Sequence, residues 1–124
     1  ATIRKKGSEN MFKNRYRFEV RRRDRLLVVR LLGEIDHHSA LSLREDLDEL
    51  ILRERPARLV LDLSGIEFMD SSGLGLLMGR YRLMQETGGV MAIAAPNPAV
   101  LRILRLAGME LFMEIGEAPR GERI

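Results

Sequence analysis

The sequence has no cysteine and no tryptophan. Without cysteine there can be no disulfide framework, no thiol nucleophile and no cysteine-ligated zinc, and the composition suits a reducing compartment. Aromatic residues make up only 5% of the chain. A hydrophobic core must therefore be built from Leu, Val, Ile and Met. No stretch reaches the ~18 consecutive apolar residues of a membrane span, and the N-terminus lacks the charged, apolar and small-residue regions of a signal peptide. A cytoplasmic protein without a membrane association is expected. Lysine is confined to Lys5, Lys6 and Lys13, ahead of every predicted element. That removes a Walker lysine. It also removes the later-strand lysine that a phospho-accepting receiver aspartate needs. No G-x-S-x-G elbow occurs, so a serine hydrolase is not indicated.

What is present fits one domain. A chain of 124 residues, 45% hydrophobic and 31% charged, is long enough for a single core and short for two. The net charge of +3 hides a division. Residues 1–30 carry 11 Lys or Arg against 3 acids, and residues 31–124 carry 10 against 15. The run RRRD at Arg21–Asp24 reads as a solvated hairpin turn. It lacks the interleaved aromatics of a nucleic-acid surface, and no nucleic-acid partner is expected.

Residues 1–11 show no apolar periodicity and are expected to be an appended leader or a mobile arm. Tyr16, Phe18 and Val20 alternate with charged residues, as in a half-buried strand. Leu26–Gly33 forms a more buried second strand, and the two should make a hairpin. From Asp36 to Pro56, Ala40, Leu43, Leu47, Leu50 and Ile51 recur at helical spacing, with Asp36 or Ser39 as the N-cap. Ala57–Leu63 is nearly continuous in apolar residues, as in a strand covered on both faces. A second helix follows Asp70, with Leu74, Leu77, Met78, Tyr81 and Met84 as its core stripe and Gly88–Gly89 at its end. Val90–Ala95 is a buried strand. Pro98–Ala107 is a third helix, stopped by Gly108. Glu110–Ile115 is a last strand, and residues 117–124 a loose tail. The fold class is α/β, one domain over residues 12–116 in the order β-β-α-β-α-β-α-β, with a mainly parallel sheet.

Little in this pattern suggests catalysis or metal binding. His37 and His38 are neighbours on a helix, about 100° apart, and make a poor ligand pair. No metal site, no catalytic residue and no resident cofactor is expected. The informative stretch is EFMDSSGLG, Glu67–Gly75. Asp70, Ser71 and Ser72 can cap the helix, but a cap needs only one of them. Gly75 and Gly79 each cost a helix roughly 1 kcal/mol relative to Ala. They leave a smooth strip beside Leu76 and Leu83. This strip lies off the assigned core stripe and is flanked by Arg80 and Arg82, so it reads as a docking surface.

The segments GEIDHHSA (Gly33–Ala40) and LDLSGIEFMDSSGLGLLMGRY (Leu61–Tyr81) resemble the STAS-domain anti-sigma factor antagonists. They are especially similar to the sporulation antagonist of the anti-sigma-F factor. The resemblance spans nearly the whole folded part and implies a partner-switching regulator rather than an enzyme. Such an antagonist binds an anti-sigma factor that is also a serine kinase, and the sigma factor is released. The kinase uses ATP and Mg²⁺ to phosphorylate the antagonist on the first serine after the motif aspartate, which is Ser71. A metal-dependent serine phosphatase restores it. The same matching places Asp36 on the kinase-contact surface and makes Asp70 and Ser72 the flanks of the acceptor. Leu76, Arg80 and Leu83 are assigned to that surface from the helix pattern. The alternative is a structural STAS module that self-associates within a larger signalling assembly.

Overall fold

A computed structural model describes residues 2–6 and 16–117, with side chains from residue 18 onward. The elements are β1 (Thr2–Lys6), β2 (Tyr16–Arg23), β3 (Leu26–Ile35), α1 (His37–Glu54), β4 (Arg58–Met69), α2 (Ser71–Glu86), β5 (Val90–Ala94), α3 (Pro98–Leu106), a 3-10 turn (Met109–Leu111) and β6 (Glu114–Gly116). They form one six-stranded sheet whose order follows the chain, β1 to β6. The β1–β2 and β2–β3 pairs are antiparallel. The β3–β4, β4–β5 and β5–β6 pairs are parallel. From β2 onward this is the α/β order read from the sequence.

Sequential parallel strands joined by same-handed crossovers put every connecting helix on one face of the sheet. The packing agrees. Phe18, Val20, Leu27, Val29, Leu31, Leu59, Leu61, Leu63, Met91 and Ile93 form one cluster with residues of α1, α2 and α3. The alternate residues Val28, Val60, Ala92 and Ala94 form a smaller cluster of their own, bordered by Leu26 and Ala95. The period of two along a strand separates the two sets.

Four expectations change. The leader expected over residues 1–11 is in part a strand: Thr2–Lys6 pairs with β2, Ile3 opposite Val20. Its only apolar residue is Ile3, so no alternation marks it, and backbone pairing to an open strand edge needs none. Residues 7–15 lie outside the described residues, as does the tail expected over 117–124 beyond Glu117. Strand β3 does not stop at Gly33. The chain passes through Gly33 at φ 105°, a conformation open to glycine, and the register shifts between Gly33 and Glu34. Strand β4 does not stop at Leu63 but runs to Met69. A Cβ on Gly65 would sit 2.8 Å from the Leu31 carbonyl oxygen, so this crossing needs glycine. The last strand starts at Glu114, because Gly108 at φ 73° opens a 3-10 turn over Met109–Leu111 instead.

These extensions position the rim. Strands β3 and β4 end level, Ile35 opposite Met69. The next residue on each chain is an aspartate that starts a helix.

Candidate functional site

Asp36 starts α1. Its Oδ1 accepts hydrogen bonds from the backbone N–H groups of His38 (3.0 Å) and Ser39 (2.9 Å). The Asp36 N–H donates in return to Ser39 Oγ (3.0 Å), which donates to the Glu34 carbonyl (3.1 Å). Ser39 is fully buried, so this capping box ties the helix start to the end of β3. Of the two residues offered as N-cap, Asp36 takes that place and Ser39 sits at the third helical position, returning the bond.

Asp70 starts α2 in the same way. Its Oδ1 accepts from the Ser72 N–H at 2.8 Å, and its carbonyl accepts from the Gly73 N–H at 2.9 Å. The Asp70 N–H donates across to the Ile35 carbonyl at 3.1 Å. One backbone hydrogen bond therefore joins the two helix starts. Both present the positive ends of their dipoles at the carboxyl edge of the parallel strands.

Ser71 is the first residue of α2 and is exposed. Among the described residues no hydrogen bond engages its hydroxyl. Ser72 is half-buried, with its N–H held by Asp70. Capping is thus done by Asp70, and Ser71 is left free of it. Gly73 explains itself by packing: a Cβ there would collide with Met69, 2.7 Å from its sulfur. Gly75 and Gly79 differ, since a Cβ on either would meet nothing within 4 Å. The two positions are open, although Leu76, expected beside them on the surface, is buried.

The assigned faces of α2 need correction. Leu76 and Arg80, taken as docking residues off the core, are buried together with Gly73, Leu77 and Met84. Leu83 is half-buried and packs against the core. Leu74, Met78 and Tyr81, taken as core, are only partly buried along its border. The helix is apolar nearly all round, so periodicity offers two stripes of similar weight, and a central arginine marks the wrong one as polar. Arg80 is only 6% exposed. Its Nε lies 2.7 Å from Asp48 Oδ1 of α1, close but not aligned as a hydrogen bond. Its Nη1 donates to the Leu76 carbonyl at 3.2 Å. Burial lowers the Arg80 pKa below its ordinary value; the Asp48 carboxylate pulls it back up and the Arg44 charge lowers it further.

The structure therefore gathers Asp36, Asp70, Ser71 and Ser72 at one rim and places Leu83 farther down α2. It sets Leu76 and Arg80 beneath the surface. The rim also holds a residue that sequence reading missed. Phe68 is 52% exposed, on the strand that delivers Asp70 and opposite Glu34 of β3. Its exposure follows from β4 running past Gly65, which a strand ended at Leu63 could not reveal. His37 and His38 are exposed, their ring centroids 5.7 Å apart. Among the described residues no group of three His, Cys, Asp or Glu could hold a metal ion, and no helix is long and apolar enough to cross a membrane.

The fold and this rim can be set beside known proteins. The family model for the STAS domain matches residues 17–119. The chain belongs to the STAS family. This STAS domain is 46% identical over 90 residues to the anti-sigma F factor antagonist of Paenibacillus polymyxa, covering 73% of this chain and 77% of that one. The anti-sigma factor antagonist SpoIIAA in its unphosphorylated form superposes with a TM-score of 0.73 at 28% identity, over 85% of this chain and 90% of that one. The phosphorylated form of the Bacillus SpoIIAA superposes with a TM-score of 0.66 at 27% identity, over 85% and 94%. The STAS domain is thus similar in sequence and fold to regulators, one of which has been solved with and without a phosphate.

Proposed function

We propose that this STAS domain is an anti-sigma factor antagonist that works by partner switching, in sporulation control. Unmodified, it binds an anti-sigma factor that is also a serine kinase, and the sigma factor is released. The kinase, supplying ATP and Mg²⁺, phosphorylates Ser71 and frees itself. A metal-dependent serine phosphatase resets the domain. The observation that carries this reading is the state of Ser71: an exposed hydroxyl, unengaged, at the start of a helix whose cap is supplied by its neighbour Asp70. A kinase can reach such a hydroxyl without dismantling the fold.

On this reading the contact surface is the rim of Asp36, Asp70, Ser71 and Phe68 together with the open strip at Gly75 and Gly79. Gly75→Ala separates the strip's role in binding from its role in the helix. Alanine should stabilise the domain by about 0.5–1 kcal/mol, since the position is helical and unobstructed. It should still weaken kinase binding, by about tenfold, because a methyl group intrudes where a partner packs closely. Calorimetric melting and titration with the kinase give the two numbers. Unchanged affinity would take the strip out of the interface.

Asp36→Asn probes charge at constant capping, because Asn and Asp cap equally well. The melting midpoint should stay within a few degrees. Kinase affinity should fall, and its salt dependence should shrink, if the carboxylate meets a basic group. Equal affinity at low salt would remove Asp36 from the contact. The experiment for the function as a whole adds the domain to a complex of sigma factor and anti-sigma factor kinase. Release of sigma factor is expected, and its failure at saturating antagonist would refute the role.

A further inference from the structure

Helix α2 presents Ser71, yet it is poorly made to hold it still. Gly73, Gly75 and Gly79 fall within its first nine residues, and glycine weakens a helix through backbone entropy. At two of the three, Gly75 and Gly79, even an added Cβ would meet nothing within 4 Å. The seam that joins α2 to α1 is largely aliphatic, with Leu43, Leu47 and Ile51 of α1 in the same core as Leu76, Leu77 and Met84 of α2. Aliphatic seams are tolerant of small shifts, because Leu and Met repack. At the centre of this seam sits one charged side chain that is almost wholly buried, Arg80, with its Nε 2.7 Å from Asp48 Oδ1. A buried arginine that loses its carboxylate is strongly disfavoured, so the pair tolerates little displacement of one helix against the other. The same guanidinium donates to the Leu76 carbonyl one turn earlier, which ties the pair back into the glycine-rich half.

We infer that Arg80 is a positioning residue: its ion pair with Asp48, buried on the arginine side, pins the glycine-weakened α2 to α1 and so holds Ser71 in register with the Asp36 rim. Two fastenings then fix the helix. The Asp70 N–H to Ile35 carbonyl bond holds its start. The Arg80–Asp48 pair holds its middle, about 14 Å along the axis at 1.5 Å per residue. The functional half of this inference rests on the partner-switching proposal, and the structural half does not.

The test uses the whole chain with Arg80→Met, Asp48→Asn, and the exchanged pair Arg80→Asp with Asp48→Arg. Amide hydrogen exchange is followed in α2 and in β4 and β5, at a temperature where far-UV circular dichroism is that of the wild type. The single variants should speed exchange over residues 72–79 by about tenfold or more, with β4 and β5 little changed. They should also slow Ser71 phosphorylation and weaken kinase binding by about tenfold. The exchanged pair should recover part of both. Should Arg80→Met not fold, Asp48→Asn decides the matter, since Asp48 is partly exposed at the seam. Exchange that rises equally in α2, β4 and β5 would reduce the pair to general stability and overturn the inference. So would unchanged exchange in α2, or faster exchange there with unaltered Ser71 phosphorylation and kinase binding. A wild-type domain that binds no kinase would sink the functional proposal and leave the exchange result to judge the pinning.

Discussion

Phosphorylation of Ser71 should lower affinity for the anti-sigma factor kinase by about 100-fold or more while leaving the fold intact. The two halves of that expectation have separate causes. The fold should tolerate the group because Ser71 is exposed at the positive end of the α2 dipole, where a phosphate of charge about −2 is favourably placed. Nothing in the core moves to admit it. The interface should not tolerate it, because the same charge would have to shed water beside the Asp70 carboxylate. Desolvation and like-charge repulsion can each cost several kcal/mol. Ser71→Ala should bind the kinase and never be released. Ser71→Asp should melt like the wild type and bind poorly, although one carboxylate carries less charge than a phosphate. Ser72→Ala should still accept phosphate, since the Ser72 contribution to the cap is its backbone N–H. Titration of the kinase with each form, alongside thermal melting, measures both halves.

Gly73→Ala should destabilise the domain by about 1–3 kcal/mol, the usual range for forcing a methyl group into a packed core. The added Cβ would collide with Met69, whose side chain is itself buried. Met69 is packed on all sides in the core, so relief is expected to push the start of α2, with Asp70 and Ser71, away from β4. The loss of stability should therefore come with slower phosphorylation. Gly75→Ala, two residues on, should have the opposite sign in stability. The contrast matters because helix propensity alone ranks the two substitutions as equal gains. Denaturant unfolding of both variants checks it. A Gly73→Ala protein as stable as wild type would mean that Met69 yields freely and that the close approach is not a constraint on the helix start.

Much of this was legible in the sequence. The period-two alternation at Phe18 and Val20 and the helical stripe at Leu43, Leu47, Leu50 and Ile51 emerge as buried core. So do the apolar strands around Leu61 and Ile93. Those patterns are strong because each element exposes one face and buries the other. Asp36 and Asp70 were legible as helix starts because capping is a local interaction. Helix α2 was harder. Leu74, Leu76, Leu77, Met78, Tyr81, Leu83 and Met84 surround it, and choosing among stripes then depends on what the neighbouring helix supplies. Asp48, twelve residues into the other helix from Asp36, converts Arg80 from an apparent surface charge into a buried one. No local rule contains that information. Phe68 and the run of β4 to Met69 were hidden for a similar reason. The apolar run ends at Leu63, and the passage of the strand through Gly65 depends on a close approach to the Leu31 carbonyl that is tertiary. Strand β1 lacked a pattern altogether, since its pairing is through the backbone.

The most direct measurement of the switching role is to incubate the domain with its anti-sigma factor kinase and Mg·ATP, and to map the phosphate by mass spectrometry. A single phosphate on Ser71, absent from Ser71→Ala and retained in Ser72→Ala, is the expected result. Phosphate on Ser72, or phosphorylated protein that still binds the kinase as tightly as the unmodified form, would contradict it.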